Sequence, residues 1–163
     1  MAIGVAVALA ATGCSSQRAA RGPAGEVITL GVVFERGADI KNVDQVEQVT
    51  SFMQPDLEGM LSNMGYAVER VQDRRAFQPG PNRFLVAVRI TSYYPGSKAA
   101  RMFVGFGAGS LVLNTENELL GSHDAVLFRS NGSVGSSRDW TNAARKINQQ
   151  IAREVTNFLA GGR

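Results

Sequence analysis

Two side chains able to act as nucleophile, base or metal ligand occur once each, Cys14 and His123. His123 sits inside Ser122-His123-Asp124, the three residue types of a nucleophile–base–orienter relay. Such a relay needs its members hydrogen-bonded in line. Consecutive residues on an extended chain point to alternating faces, and a tight turn splays them. The triplet therefore predicts a hairpin turn, where serine and aspartate bond the backbone. A metal site would have to pair one histidine with distant carboxylates, because no second histidine and no nearby cysteine is available. Glu116 and Glu118 share one face of a predicted strand and could form a carboxylate pair, but they are expected to be solvated at a sheet edge. No catalytic residue, metal ligand or cofactor is expected, and the chain is read as a non-enzyme.

Cys14 has a more specific setting. Residues 1–11 are uncharged and, apart from one glycine, apolar. That run is too short to span a bilayer, which takes about 20 apolar residues, and it fits the apolar core of a secretion signal. Ala11-Thr12-Gly13-Cys14-Ser15-Ser16 follows at once. Small residues ahead of a cysteine resemble the lipobox of bacterial lipoproteins, although Ala11 stands where that family more often has leucine and no Lys or Arg precedes the apolar run. The resemblance implies cleavage after Gly13, a diacylglycerol on the Cys14 sulfur and an acylated amino terminus (palmitate among the chains). Ser15 in place of aspartate implies sorting to the outer membrane, with the protein facing the periplasm. Each buried methylene contributes about 0.8 kcal/mol, so two or more chains hold a protein on a membrane where one is marginal. The chain divides accordingly into a signal peptide (1–13), a lipidated start with a flexible tether (14–25) and one domain (26–163).

Glycines at 105, 107 and 109 invite a nucleotide reading, but the string is Gly105-Phe106-Gly107-Ala108-Gly109-Ser110. A dinucleotide fingerprint needs glycine where Ser110 stands, and a phosphate loop needs a Gly-Lys-Ser/Thr ending. On an extended chain the three glycines would leave a bare backbone strip open to another backbone, a partner or a membrane; in a loop they would serve its turns. Arg101, Gly105, Phe106, Gly107 and Gly109 form the candidate interaction segment. Gly96-Ser97, Ala100-Arg101, the glycine string and Gly135-Ser-Ser-Arg-Asp139 ahead of an Ala-Arg-Lys-rich helix together resemble the domain of unknown function 4410 family of bacterial lipoproteins. The resemblance implies an envelope lipoprotein domain and carries no catalytic residues with it.

The elements that must position these residues follow from periodicity. Residues 26–35 are β-branched and apolar, a strand. From Asp44, a candidate N-cap, Val46, Val49, Met53, Leu57, Met60, Leu61 and Met64 recur at helical spacing, with a kink or a break expected at Pro55 and a stop at Gly65. The methionines are expected to be mainly core. Residues 66–71 form a short strand and 76–82 a loop, and Arg83–Tyr94, apolar on both faces, reads as a central strand. Residues 111–120 and 125–130 are an antiparallel pair turning at 121–124. Residues 140–159 form an amphipathic helix capped by Asp139 or Ser137, with Arg145, Gln149 and Arg153 off its apolar stripe. The sum is a two-layer α/β sandwich, a mixed sheet of about five strands with two main helices.

A chain that is 44% hydrophobic and 19% charged can fold around one core. Its net charge of +3 is thinly spread, and the densest basic group, Arg70, Arg74 and Arg75, encloses Asp73 and lacks aromatic stacking partners, so no nucleic-acid partner is expected. The expected partners are membrane lipid through acylated Cys14 and an envelope protein. The expected role is a lipid-anchored, non-catalytic binding or accessory module. The alternatives are a lipoprotein that binds a lipid or glycan and a subunit of an envelope secretion or pore assembly.

Overall fold

The computed structural model describes residues 19–22, 25–41, 43–96, 110–136 and 139–161. Their order is β1 (Thr29–Arg36), α1 (Val43–Asn63), β2 (Ala67–Arg70), β3 (Arg83–Tyr94), β4 (Leu111–Leu120), β5 (Val126–Ser136) and α2 (Trp140–Gly161). The five strands described form one sheet in the order β2-β1-β3-β4-β5. β1 runs parallel to β2 and β3, whereas β3–β4 and β4–β5 are antiparallel. The expected two-layer α/β sandwich is the observed one.

Both helices lie on one face. Leu30, Val32, Val86, Val88, Ile90, Leu113 and Leu119 of the sheet meet Val49, Met53, Leu57 and Leu61 of α1, and Ile147, Ile151 and Val155 of α2. Each fully buried side chain of this size contributes about 1.5–3 kcal/mol over its exposed state. Of the methionines in α1 and just beyond it, Met53 is fully buried, Met60 half-buried and Met64 exposed. α1 continues through Pro55 as one element, with Pro55 on its exposed side, where the lost amide bond leaves a carbonyl near water. It stops at Gly65, φ 94°. There the Tyr66 amide donates to Leu61 and the Gly65 amide to Ser62, a Schellman ending that needs the left-handed residue.

Among the described residues, the helix-free face is covered at one end only. Phe77 and Val71 close over Val33, Leu85, Ala87 and Leu120 as a second, smaller cluster. The price is a glycine within a strand: a Cβ on Gly31 would stand 2.5 Å from the Phe77 ring. The segment 76–82, expected as a loop, thus supplies a buried lid for the sheet.

Strand directions define two ends of the domain. β1, β2, β3 and β5 start, and β4 finishes, at a proximal end. α1 finishes there too, since Gly65 leads directly into β2. So does α2, whose Thr156 hydroxyl lies 3.2 Å from the Met64 sulfur. The first described residues also dock at this end. The Ala20 amide donates to the Gly65 carbonyl (2.7 Å), the Ile28 amide to the Ala20 carbonyl (3.0 Å), and Arg21 bridges to Val27. The distal end holds the close of β1, the start of both helices and the outlet of β3 at Tyr94.

Candidate functional site

On the outer face beyond the Phe77 cluster, register builds a row of charge. Glu35 of β1 stands beside Arg89 of β3, which stands beside Glu116 of β4. One row away, Glu118 of β4 faces Arg129 of β5. These side chains point outward because each alternates with a residue committed to the helix layer, such as Ile90 and Leu119. Arg74, from the 3-10 turn Arg74–Ala76 that Asp73 caps through the Arg75 amide, reaches down into the row. Its guanidinium grips both oxygens of Glu35 at 3.0 Å and Glu118 at 2.8 Å. Arg129 holds the other Glu118 oxygen at 2.8 Å, and Arg89 lies 3.3 Å from Glu35 and 3.5 Å from Glu116.

The electrostatics follow from this contact pattern. Burial by itself would raise the Glu118 carboxyl, but the hydrogen bonds and charges of Arg74, then of Arg129, outweigh it and hold the group below the usual carboxylate range. Burial likewise works against the Arg74 guanidinium, and Glu35 and Glu118 reverse that, leaving it above its ordinary value. A shallow cleft of about 350 Å³ runs over Arg89, Glu116, Glu118, Arg129 and Asn131. With its carboxylates paired to arginines, it suits contact with a polar or zwitterionic surface. A general acid needs the opposite shift, a carboxyl raised toward neutrality.

The residues singled out from sequence distribute as follows. Gly13, Cys14, Arg101, Gly105, Phe106, Gly107 and Gly109 lie outside the described residues. Ser122, His123 and Asp124 form an exposed 3-10 turn joining β4 to β5, with His123 at φ 59° and Asp124 at φ 56°; the turn expected there is present. Glu116 and Glu118 do share a face, but β4 is an interior strand of the described sheet: Glu116 is solvated as expected, at 54% exposure with Arg89 3.5 Å away, whereas Glu118, at 16%, is enclosed by Arg74 and Arg129. The basic group disperses: Arg70 pairs with Glu58, Arg74 with Glu35 and Glu118. Among the described residues no cluster of three or more His, Cys, Asp or Glu side chains could hold a metal ion. No described helix is long and apolar enough to cross a membrane. Sequence reading missed Glu35, Arg89 and Arg129. The outward parity of Arg89 was visible in the alternation of β3, but its neighbours depend on register across the sheet.

A second polar set lies between β4, β5 and α2. Asn117 donates to the Ser130 hydroxyl (3.3 Å), which donates to Glu154 (2.6 Å), and Gln150 donates to the other Glu154 oxygen (2.8 Å). Thr115 is buried beside Gly132, where a Cβ would sit 2.5 Å from its hydroxyl oxygen.

The family described as Domain of unknown function (DUF4410) matches residues 36–157. No curated protein matches the chain in sequence. Among solved structures, a single-residue variant of the PelC dodecamer from Paraburkholderia phytofirmans superimposes with a TM-score of 0.54 at 12% identity, covering 82% of this chain and 89% of that one. A second structure of the PelC dodecamer from the same organism gives 0.52 at 11% identity, covering 76% and 83%. At these identities the likeness is one of fold.

Proposed function

The chain belongs to the DUF4410 family, and we propose that it is a lipid-anchored, non-catalytic binding module of the cell envelope. In this reading Cys14 carries the lipid, cleavage falls after Gly13, and the domain faces the periplasm from the outer membrane. The observation that carries the non-catalytic part is the charge row. Glu35, Glu116 and Glu118 are each bonded to arginine, and Glu118 is held low, so the acids of this face act as struts. The Ala11-Thr12-Gly13-Cys14 string supports the attachment. Growth with radiolabelled palmitate tests it: label is expected on the wild type and absent from Cys14→Ser. No label on the wild type, or equal label on both, removes the lipid anchor.

The partner we favour is protein. Among the described residues β5, eleven residues long, is the last strand of the sheet, and a sheet edge of that length can pair with another chain. A fold shared with PelC, whose structures are dodecamers, favours a second copy of this chain as one such partner. Native mass spectrometry of the delipidated chain is expected to show a ring of copies. A bare monomer would move the role toward another envelope protein, and a bound small molecule toward ligand carriage in the polar cleft.

A further inference from the structure

We propose that the proximal end of the domain lies against the bilayer surface, with Val27, Met64, Val126 and Leu127 at headgroup depth. The inference rests on the lipid-anchor reading and adds an orientation and a contact surface to it. Two independent observations converge. The first is reach. Ala20 is pinned to Gly65 and Ile28 at the proximal end, and Cys14 precedes Ala19 by five residues. A fully extended chain covers about 3.3–3.6 Å per residue, so the lipid-bearing sulfur stays within roughly 18 Å of that end. β1 alone has eight residues, about 27 Å of strand, which puts the distal end out of reach of the anchor.

The second is where apolar surface is exposed. Among the described residues, five large hydrophobic side chains are exposed: Val27 (44%), Met64 (41%), Val126 (41%), Leu127 (39%) and Tyr94 (52%). The first four all fall at the proximal end, just before β1, directly after α1 and at the start of β5. They come from three separate stretches of chain, and only the fold gathers them. Scattered exposed apolar residues are ordinary on a soluble surface; four collected at the end carrying the anchor match what an interface of lipid headgroups and acyl chains accepts. Arg21, Glu26 and Asp124 share this end and are exposed, which keeps the contact shallow.

The test couples the chain beginning at Cys14, through its sole thiol, to a maleimide phospholipid in phosphatidylcholine nanodiscs doped with a gadolinium-chelating lipid. Amide relaxation enhancement is then read along the chain. Amides of Val27, Met64, Val126 and Leu127 are expected to relax about tenfold faster than those of Arg36 and Asp39, because the ends stand roughly 25 Å apart. With a long Gly/Ser insert between Cys14 and Ala19 the contrast is expected to persist, and Val126→Ser with Leu127→Ser in that background to reduce it about threefold. Equal enhancement at the two ends, a maximum at Asp39, or loss of contrast on lengthening the tether alone would overturn the proposal. The anchor is supplied chemically, so a failure of palmitate labelling on Cys14 would count against the anchoring reading and leave this result to stand or fall separately.

Discussion

Glu118 shows how one side chain can look catalytic and be structural. Two carboxylates at alternate positions of a strand invite acid–base chemistry, yet Arg74 arrives from the turn before β3 and Arg129 from β5. Glu118→Gln is expected to lower stability at neutral pH by about 1–3 kcal/mol, since the charged partners of a half-buried carboxylate lose their counter-charge. The sign of the pH dependence follows from its lowered pKa. The contribution is present above the unfolded carboxyl pKa and is lost as pH falls through the folded value. Urea titrations of wild type and variant should therefore converge in acid; a gap that stays constant would contradict the assignment. Gly132 makes a second residue-scale point. Gly132→Ala places a methyl 2.5 Å from the Thr115 hydroxyl and 3.3 Å from an Ile147 methyl, with an expected loss of about 1–3 kcal/mol. Thr115→Ala in the same chain should recover part of it, because it removes the clashing oxygen, and a double-mutant cycle measures the coupling. Neither contact is visible in the sequence, where Thr115 and Gly132 are distant and unremarkable.

At the scale of elements, local chemistry decides boundaries and was largely readable. α2 begins where Asp139 accepts the Asn142 amide (2.8 Å) and the Thr141 hydroxyl (2.6 Å), as an aspartate N-cap should. The Thr141 hydroxyl first, then the Asn142 amide, hold the Asp139 carboxyl below its usual value. Asp139→Ala is expected to lower the melting temperature near neutral pH and to have little effect once acid protonates the wild-type carboxyl; an equal loss at both pH values would refute the cap. β3 and β4 match their expected spans, and α2 runs slightly past its own. β5 extends to Ser136, six residues beyond expectation, because Asn131, Gly132, Ser133 and Gly135 read as turn formers. Cross-strand pairing with β4 overrides that local preference. The methionine stripe divides between core and surface, since a helix on a sheet buries one stripe and exposes its last turn.

For the whole molecule, the docking of residues 19–22 has a measurable consequence. A chain beginning at Glu26 loses the Ala20 bonds to Gly65 and Ile28 and is expected to be about 1–2 kcal/mol less stable; unchanged urea midpoints would show that residues 19–22 do not hold the proximal end. The amino-acid sequence alone determined the kind and order of the helices and strands, the apolar stripe of each helix and the turn at Ser122–Asp124. All of these depend on neighbours within a few residues, where periodicity, capping and turn chemistry operate. Only tertiary structure decided that Glu35, Arg74, Arg89, Glu116, Glu118 and Arg129 form one ion-pair row. Only it gathered Val27, Met64, Val126 and Leu127 at one end. Such meetings depend on strand order and register, and those are chosen by how the whole core packs against two helices.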